Sequence, residues 1–437
     1  MNCPRSRAIR TALAPLVLSL VCVTLARATE RSLAEHRRAA ALVRQAAEQG
    51  ADEALESAVA LLTAEDSPRV VDVLVELAVK HPDRHPYELA REHLASTVAH
   101  PASLLHVAEQ LRRARDPRAR IFLADACAVR EDETTGAALD AAIGDRDDRV
   151  ALMAARGVKV RRRVSAVEPL IERFAALTKR GGESVLLREV EAALLRITGE
   201  QFASAAEWVS FWAARRVGFV PPADVRRELG STRERPRFFG AELRSDRVVF
   251  VVDVSGSMRH GSPSRLDRTQ QQLVKLIDEL PERADFAVIA FSGPDFEGNG
   301  LPKGLPPQGP LPEVIHGTRW LWHTGPKLLR ATAARRQAAI EFVGALRPTG
   351  MTFTLEALRR AFELEGADLV VLLSDGQPEE VDRERSRWRS EREIVEEVAR
   401  LNRYLCRRID TFGLGGEGDR FLEELAARTG GTFTSLD

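Results

Sequence analysis

Residues Arg247–Met258 read RVVFVVDVSGSM, an apolar run that ends on a carboxylate and is followed at once by hydroxyls on alternate positions. A continuous Val/Phe run closed by a Gly/Ser turn reads as a strand buried on both faces, as in a parallel sheet. Ligands of open α/β sheets bind just beyond the carboxyl ends of such strands. The run therefore carries Asp253, Ser255 and Ser257 to the place where a site is expected. One carboxylate and two hydroxyls are hard oxygen donors, matched to Mg²⁺ and not to zinc.

Around this stretch, residues 246–437 alternate strands and helices, which implies βαβ units on a central, mostly parallel sheet. Leu266–Leu280 reads as an amphipathic helix stopped by Pro281, and Asp285–Phe291 (DFAVIAF) as a second buried strand. Ala367–Leu373 is a further strand, and the Ser374-Asp375-Gly376 that follows puts Asp375 at a strand end, as Asp253 is. Thr352 and Thr354 lie in Gly350–Thr354 (GMTFT), just ahead of a helix predicted over Leu355–Glu365. Helix capping is the structural role open to both, and to Thr354 in particular. Thr318–Trp322 reads as a short edge strand and Ser386–Arg407 as one long, charge-laced helix. Gly293–Gly317 is rich in Gly and Pro and longer than compact domains normally carry without a purpose. It reads either as a loop that tunes partner choice beside the site or as an insertion without order.

DVSGSM (Asp253–Met258), the loop threonine Thr352 and LLSDG (Leu372–Gly376) together resemble the metal-ion-dependent adhesion site of the von Willebrand factor type A domain. The resemblance extends through GLGG (Gly413–Gly416) to the closing ELAARTGGTF (Glu424–Phe433). It implies a Rossmann-like domain over residues 246–437 in which Asp253, Ser255, Ser257, Thr352 and Asp375 surround a divalent cation. Mg²⁺ is the first expectation, with Mn²⁺ and Ca²⁺ as alternatives. Met351 departs from the family, which commonly has a second glycine before this threonine. The implied partner is a protein whose Asp or Glu carboxylate completes the coordination sphere, so the domain is expected to bind and not to catalyse. Three neutral hydroxyls suit that role, because they leave the ion electrophilic enough to accept an outside carboxylate.

Two other readings stay open. One is a hydrolase using Ser255 or Ser257, with His260 nearby in sequence and His316 and His323 flanking the predicted edge strand. Against it, VSGSM is not the GxSxG nucleophile elbow, and no acid–base pair shows by spacing. The other is the same fold with an inactive metal site, acting only as a scaffold. A phosphate loop of the GxxxxGK[ST] type is absent from the sequence.

Upstream, Ser32–Arg216 reads as helix after helix with short polar breaks. DPRARIFLADACAV (Asp116–Val129) aligns with DDRVALMAARGVKV (Asp147–Val160) at a spacing of 31 residues. SPRVVDVLVELAV (Ser67–Val79) and ESVLLREVEAALLRITG (Glu183–Gly199) have the same shape. A period in the thirties with paired amphipathic helices marks a stacked α-solenoid. These units resemble HEAT-type repeats, expected over residues 29–216 as a scaffold or concave interaction surface. Arg161-Arg162-Arg163 reads as a solvated helix end or loop, with a polyanion contact as the alternative, and Trp208 and Trp212, one turn apart, as the cap of the last repeat's core. Residues 217–245, with Pro221-Pro222 and the charged Thr232–Pro236, are the expected linker, with Phe238-Phe239 packing onto a neighbour.

The N-terminal 28 residues have a basic segment (Arg5–Arg10), an apolar core (Thr11–Leu25) and a small-x-small site at Ala26-Arg27-Ala28. That is the pattern of a signal peptide, and an uncleaved anchor is the alternative. Export to the periplasm or the outside is expected. Residues 1–28 hold arginines but no acid, so the rest of the chain carries a modest acidic excess, which argues against a nucleic-acid partner. Cys127 and Cys406, in separate helices of separate domains, are expected to be buried free thiols, with no Cys/His metal spacing.

Overall fold

The computed structural model describes residues 33–223, 225, 229–230, 235–293, 313–315, 319–379, 381–382, 387–416 and 418–436. The expected signal segment, residues 1–28, lies outside them, as do His316 and most of the 293–317 loop. The chain divides into two compact units, Met1–Gln110 and Leu111–Asp437.

The first unit is helical: α1 (33–49), α2 (Asp52–Thr63), α3 (Pro68–Lys80), α4 (Arg84–Ser96) and the start of α5 (Pro101–Arg113). α3 opens on Pro68, where a missing N–H costs nothing, and buries Val70, Val71, Leu74 and Leu77 at helical spacing. Its neighbour in packing is α4.

The second unit begins with α6 (Pro117–Ala128), α7 (Glu133–Ala142), α8 (Asp148–Arg161), α9 (Val167–Arg180), α10 (Val185–Thr198) and α11 (Ala205–Arg215). The spacing of 31 residues is a repeat of cap geometry. Asp116 and Asp147 each accept a hydrogen bond from the amide two residues on, that of Arg118 and of Arg149. Each arginine then returns its guanidinium to the same aspartate, at 2.8 Å and 2.7 Å. An N-cap carboxylate satisfies an orphan helix donor and complements the helix dipole, so the signature recurs where a helix must start. α8 packs on both α6 and α10. Trp208 is buried and meets Phe202 edge-on at 4.8 Å, while Trp212 meets Phe219 at 5.3 Å, so the two tryptophans close the last helix's core as expected.

The basic cluster is not a solvated helix end. Arg163 bridges Asp140 at 2.8 Å and Glu133 at 3.0 Å, and Arg161 donates to the carbonyls of Cys127 and Asp132. Arg162 donates to the carbonyls of Pro222 and Ala223. Carbonyl oxygens and carboxylates at helix ends want donors, and here three consecutive arginines supply them.

The later helices and the sheet fall in one compact unit, Leu111–Asp437, and polar contacts join them. The Glu183 amide donates to the Asp246 carboxylate at 3.0 Å and the Val185 amide to Asp368 at 3.3 Å. Arg149 donates to the Tyr404 carbonyl at 3.0 Å. Helix-end donors and strand-start carboxylates thus satisfy each other. Within the expected linker, β1 (Arg237–Phe238) and β2 (Ala241–Glu242) form a hairpin. Arg235 inserts between Glu183 at 3.0 Å and Glu242 at 3.3 Å, and Phe238 is buried against Phe412, with ring centroids 5.1 Å apart.

The remaining elements are β3 (Arg247–Asp253), α12 (Arg265–Glu279), β4 (Asp285–Ser292), β5 (Glu313–Ile315), β6 (Arg319–His323) and β7 (Leu329–Arg330). They continue with α13 (Ala333–Ala345), α14 (Thr354–Glu363), β8 (Leu369–Ser374), β9 (Val381–Asp382) and β10 (Arg387–Trp388). Last come α15 (Glu391–Asn402), β11 (Arg408–Gly413), α16 (Asp419–Thr429) and β12 (Phe433–Ser435). Among the described residues the main sheet runs β12-β11-β8-β3-β4-β6-β5, with β7 also on β4. β12, β11, β8, β3 and β4 are parallel, and β6, β5 and β7 antiparallel. The two-part architecture is therefore a helical solenoid followed by an α/β domain.

β3 is central and buried along nearly its whole length, which is why its sequence does not alternate. Val249 and Val251 join Ile289, Phe291, Leu358, Val370, Leu372, Val398 and Leu425 in one core, whereas Phe250, pointing the other way, faces Phe238. Two readings need correction here. β6 is not the edge, because β5 pairs outside it. The long helix predicted from Ser386 begins only at Glu391, where Ser390 and Glu393 form a capping box, and Arg387–Trp388 pairs with Val381–Asp382 instead. Cys127 and Cys406 are buried and free.

Candidate metal centre

β3 has β4 on one side and β8 on the other, so the chain reverses its winding direction at β3. The crevice beyond the carboxyl ends of β3 and β8 is the switch point at which α/β folds bind ligands. Asp253 ends β3, and Asp375 follows Ser374 at the end of β8. Both carboxylates are buried.

Hydrogen bonds join four of the five expected residues. The Ser255 amide donates to Asp253 Oδ1 at 2.7 Å, as a tight turn after a strand requires. The Ser255 and Ser257 hydroxyl oxygens lie 3.1 Å apart, and Ser257 donates to Asp375 Oδ1 at 2.7 Å. The chain of contact runs Asp253, Ser255, Ser257, Asp375.

Thr352 arrives by its backbone. The Gly256 amide donates to the Gly350 carbonyl at 2.7 Å, the Met351 amide to the Gly293 carbonyl at 3.2 Å, and the Glu379 amide to the Thr352 carbonyl at 2.7 Å. Gly350 has a φ of +65°, and a side chain there would collide with the Gly293 carbonyl, so this position needs glycine. Met351, where the sequence departs from the family glycine, is buried. Thr354 does not cap α14. Phe353 holds the N-cap position, where its phenyl ring has no acceptor to offer, and that ring packs over Gly293.

Three participants escaped the sequence reading. Ser374 donates to Asp253 Oδ2 at 2.5 Å, so both Asp253 oxygens have donors. Arg265 Nη1 lies 2.6 Å from Asp375 Oδ2. Glu379 accepts from the Thr352 amide at 3.2 Å. Ser374 stood in view beside Asp375, but Arg265 and Glu379 carry no signal in the sequence, since only the fold brings them near.

The electrostatics favour a cation. Burial first, and the Asp375 charge second, push the Asp253 carboxyl up to about 7. Among the described residues Arg265 alone pairs with this couple, through Asp375, so the two buried carboxylates are short of positive charge. Among the described residues no three His, Cys, Asp or Glu side chains gather in a metal-holding group. Any ion here would depend on two carboxylates supplemented by hydroxyls, the donor set of a hard cation that keeps waters. The residues fit such an ion.

Models of the von Willebrand factor type A domain match residues 248–297 and 314–434. The chain carries a von Willebrand factor type A domain. Inter-alpha-trypsin inhibitor heavy chain H4 of Homo sapiens is 29% identical over 143 residues, which is 30% of this chain and 12% of that protein. The chain thus spans only a small fraction of the length of the curated relative it matches. A solved von Willebrand factor type A protein from Catenulispora acidiphila is 25% identical, covers 45% of this chain and 40% of its own, and superposes with a TM-score of 0.32. Von Willebrand factor type A domains are protein-interaction modules, common in extracellular proteins, and that is the function class of this part of the chain. Among the described residues no helix is long and apolar enough to cross a membrane.

Proposed function

We propose that the chain is an exported protein-binding scaffold whose von Willebrand factor type A domain captures a partner's carboxylate at a divalent cation held by Asp253, Ser255, Ser257, Thr352 and Asp375. The observation that carries this reading is the hydrogen-bonded path from buried Asp253 through Ser255 and Ser257 to buried Asp375. When bound, a Mg²⁺ ion would supply a Lewis-acidic position for an oxygen ligand from outside. Ser374 and the Ser255 amide hold Asp253 in place, so this donor is fixed before any ion arrives. The solenoid then presents the domain to its target.

Binding is favoured over catalysis on the state of the serines. Ser257 donates a hydrogen bond to the Asp375 carboxylate, as a class a weaker base than imidazole, and His260 makes no side-chain hydrogen bond to either serine. A serine nucleophile needs a base oriented by a third group. Capture of an immobilised peptide bearing Asp or Glu, in Mg²⁺ and in chelator, tests the proposal. Capture lost in chelator and in Asp253→Ala supports it. Turnover of an ester or peptide abolished by Ser255→Ala would replace it with the hydrolase reading.

A further inference from the structure

Asp375 is fully buried, and its two oxygens are used differently: Oδ1 accepts from Ser257, and Oδ2 is held by Arg265 Nη1 at 2.6 Å. Arg265 opens α12 directly after the Ser264 capping box, so its backbone is fixed by the helix start. Its guanidinium lies against Gly415, where an added side chain would collide with Nη2, and Gly415 has a φ of +135°. Gly415 of the GLGG stretch thus provides a berth for this side chain. The arginine is itself mostly buried, at 22% exposure, so solvent does not screen the pair as it would at a surface.

An arginine is charged at every physiological pH. Two carboxylates, Asp253 and Asp375, with a divalent cation alone would make a neutral centre. With Arg265 retained, the loaded centre carries one net positive charge. The rim charges Arg259 and Glu379 are exposed, of opposite sign, and offset each other. A centre one charge positive attracts a further carboxylate more strongly than a neutral one does. The same guanidinium repels the incoming cation. We infer that Arg265 is the specificity-determining residue of the centre, weakening its hold on the cation in order to strengthen its hold on an outside carboxylate. This inference rests on the cation-dependent reading of the site.

The experiment uses the full chain with Mn²⁺ as the probe cation and acetate as the probe carboxylate. Free Mn²⁺ is followed by electron paramagnetic resonance, and acetate by the water-proton relaxation of the Mn²⁺-loaded protein. Arg265→Gln is expected to bind Mn²⁺ at least about tenfold more tightly and acetate at least about tenfold more weakly, the effect of deleting one near charge. Arg265→Lys, which keeps the charge, should stay near wild type in both. Opposite signs are the diagnostic, because loss of a merely structural arginine would weaken both. Should Arg265→Gln fail to fold, Gly415→Ala displaces the guanidinium without removing it and carries the same two expected shifts. Mn²⁺ affinity unchanged or weakened in the folded variant, with wild type binding normally, overturns the role of Arg265 and leaves the cation reading intact. Wild type that binds no Mn²⁺ overturns both.

Discussion

Ser374 donates a 2.5 Å hydrogen bond to the buried carboxylate of Asp253, tying the end of β8 to the end of β3. Together with the Ser255 amide on Oδ1, the bond sets how the Asp253 carboxylate is oriented at the crevice. Ser374→Ala is expected to weaken Mg²⁺ binding roughly tenfold, the usual effect of losing a group that orients a metal ligand. Calorimetric titration checks this. Unchanged affinity would mean that Asp253 is positioned by the Ser255 amide alone.

The carboxyl of Asp253 sets a pH dependence for the metal-free protein. Its folded value, about 7, lies above the ordinary carboxylate range, so the fold favours the protonated form. That contribution to stability is complete below about pH 4 and is lost as pH rises through about 7, at no more than about 1.4 kcal/mol per pH unit. Asp253→Asn removes the titration. In chelator, the stability of wild type minus that of the variant should therefore fall between about pH 4 and pH 7 and level off above. Urea unfolding at intervals of one pH unit reads the difference, and a flat line would refute the assignment.

Gly350 is where backbone approach controls the Thr352 loop. Gly350→Ala forces a side chain toward the Gly293 carbonyl at a φ of +65°. A cost of about 1–3 kcal/mol is expected, together with weaker Mg²⁺ binding as the loop shifts. Thermal unfolding and titration of the same sample test both. Lost stability with unaltered cation affinity would place Thr352 outside the centre.

Arg163 predicts a stability effect far from the crevice. It and Asp140 are both nearly excluded from solvent and lie 2.8 Å apart. Arg163→Ala leaves Asp140 buried with only Ser165 as a side-chain donor of comparable closeness, and should cost about 3 kcal/mol. Urea unfolding measures it, and a change under about 0.5 kcal/mol would restore the solvated-end reading of the basic cluster.

The central strand and its motif were legible because β3 is covered on both faces and its turn needs particular residues. Asp253, Ser255, Ser257 and Asp375 could therefore be named as candidates from the sequence, and hydrogen bonds join them. The helical repeat was legible through its Asp-x-Arg caps at Asp116 and Asp147. Arg265 and Ser374 were not, since their roles depend on a helix and a strand distant in sequence meeting one crevice. The hairpin at Arg237–Glu242 and the docking of Glu183 and Val185 onto Asp246 and Asp368 were hidden for the same reason. Charged, proline-containing sequence reads as a linker until its arginine is seen to have buried partners.

The central claim is that the crevice holds a divalent cation. Calorimetric titration of the purified chain with Mg²⁺, alongside Asp253→Ala with matching circular dichroism, tests it most directly. The account predicts saturable binding of one ion in wild type and none in the variant. Absence of binding in wild type at millimolar Mg²⁺, Mn²⁺ and Ca²⁺ would contradict it.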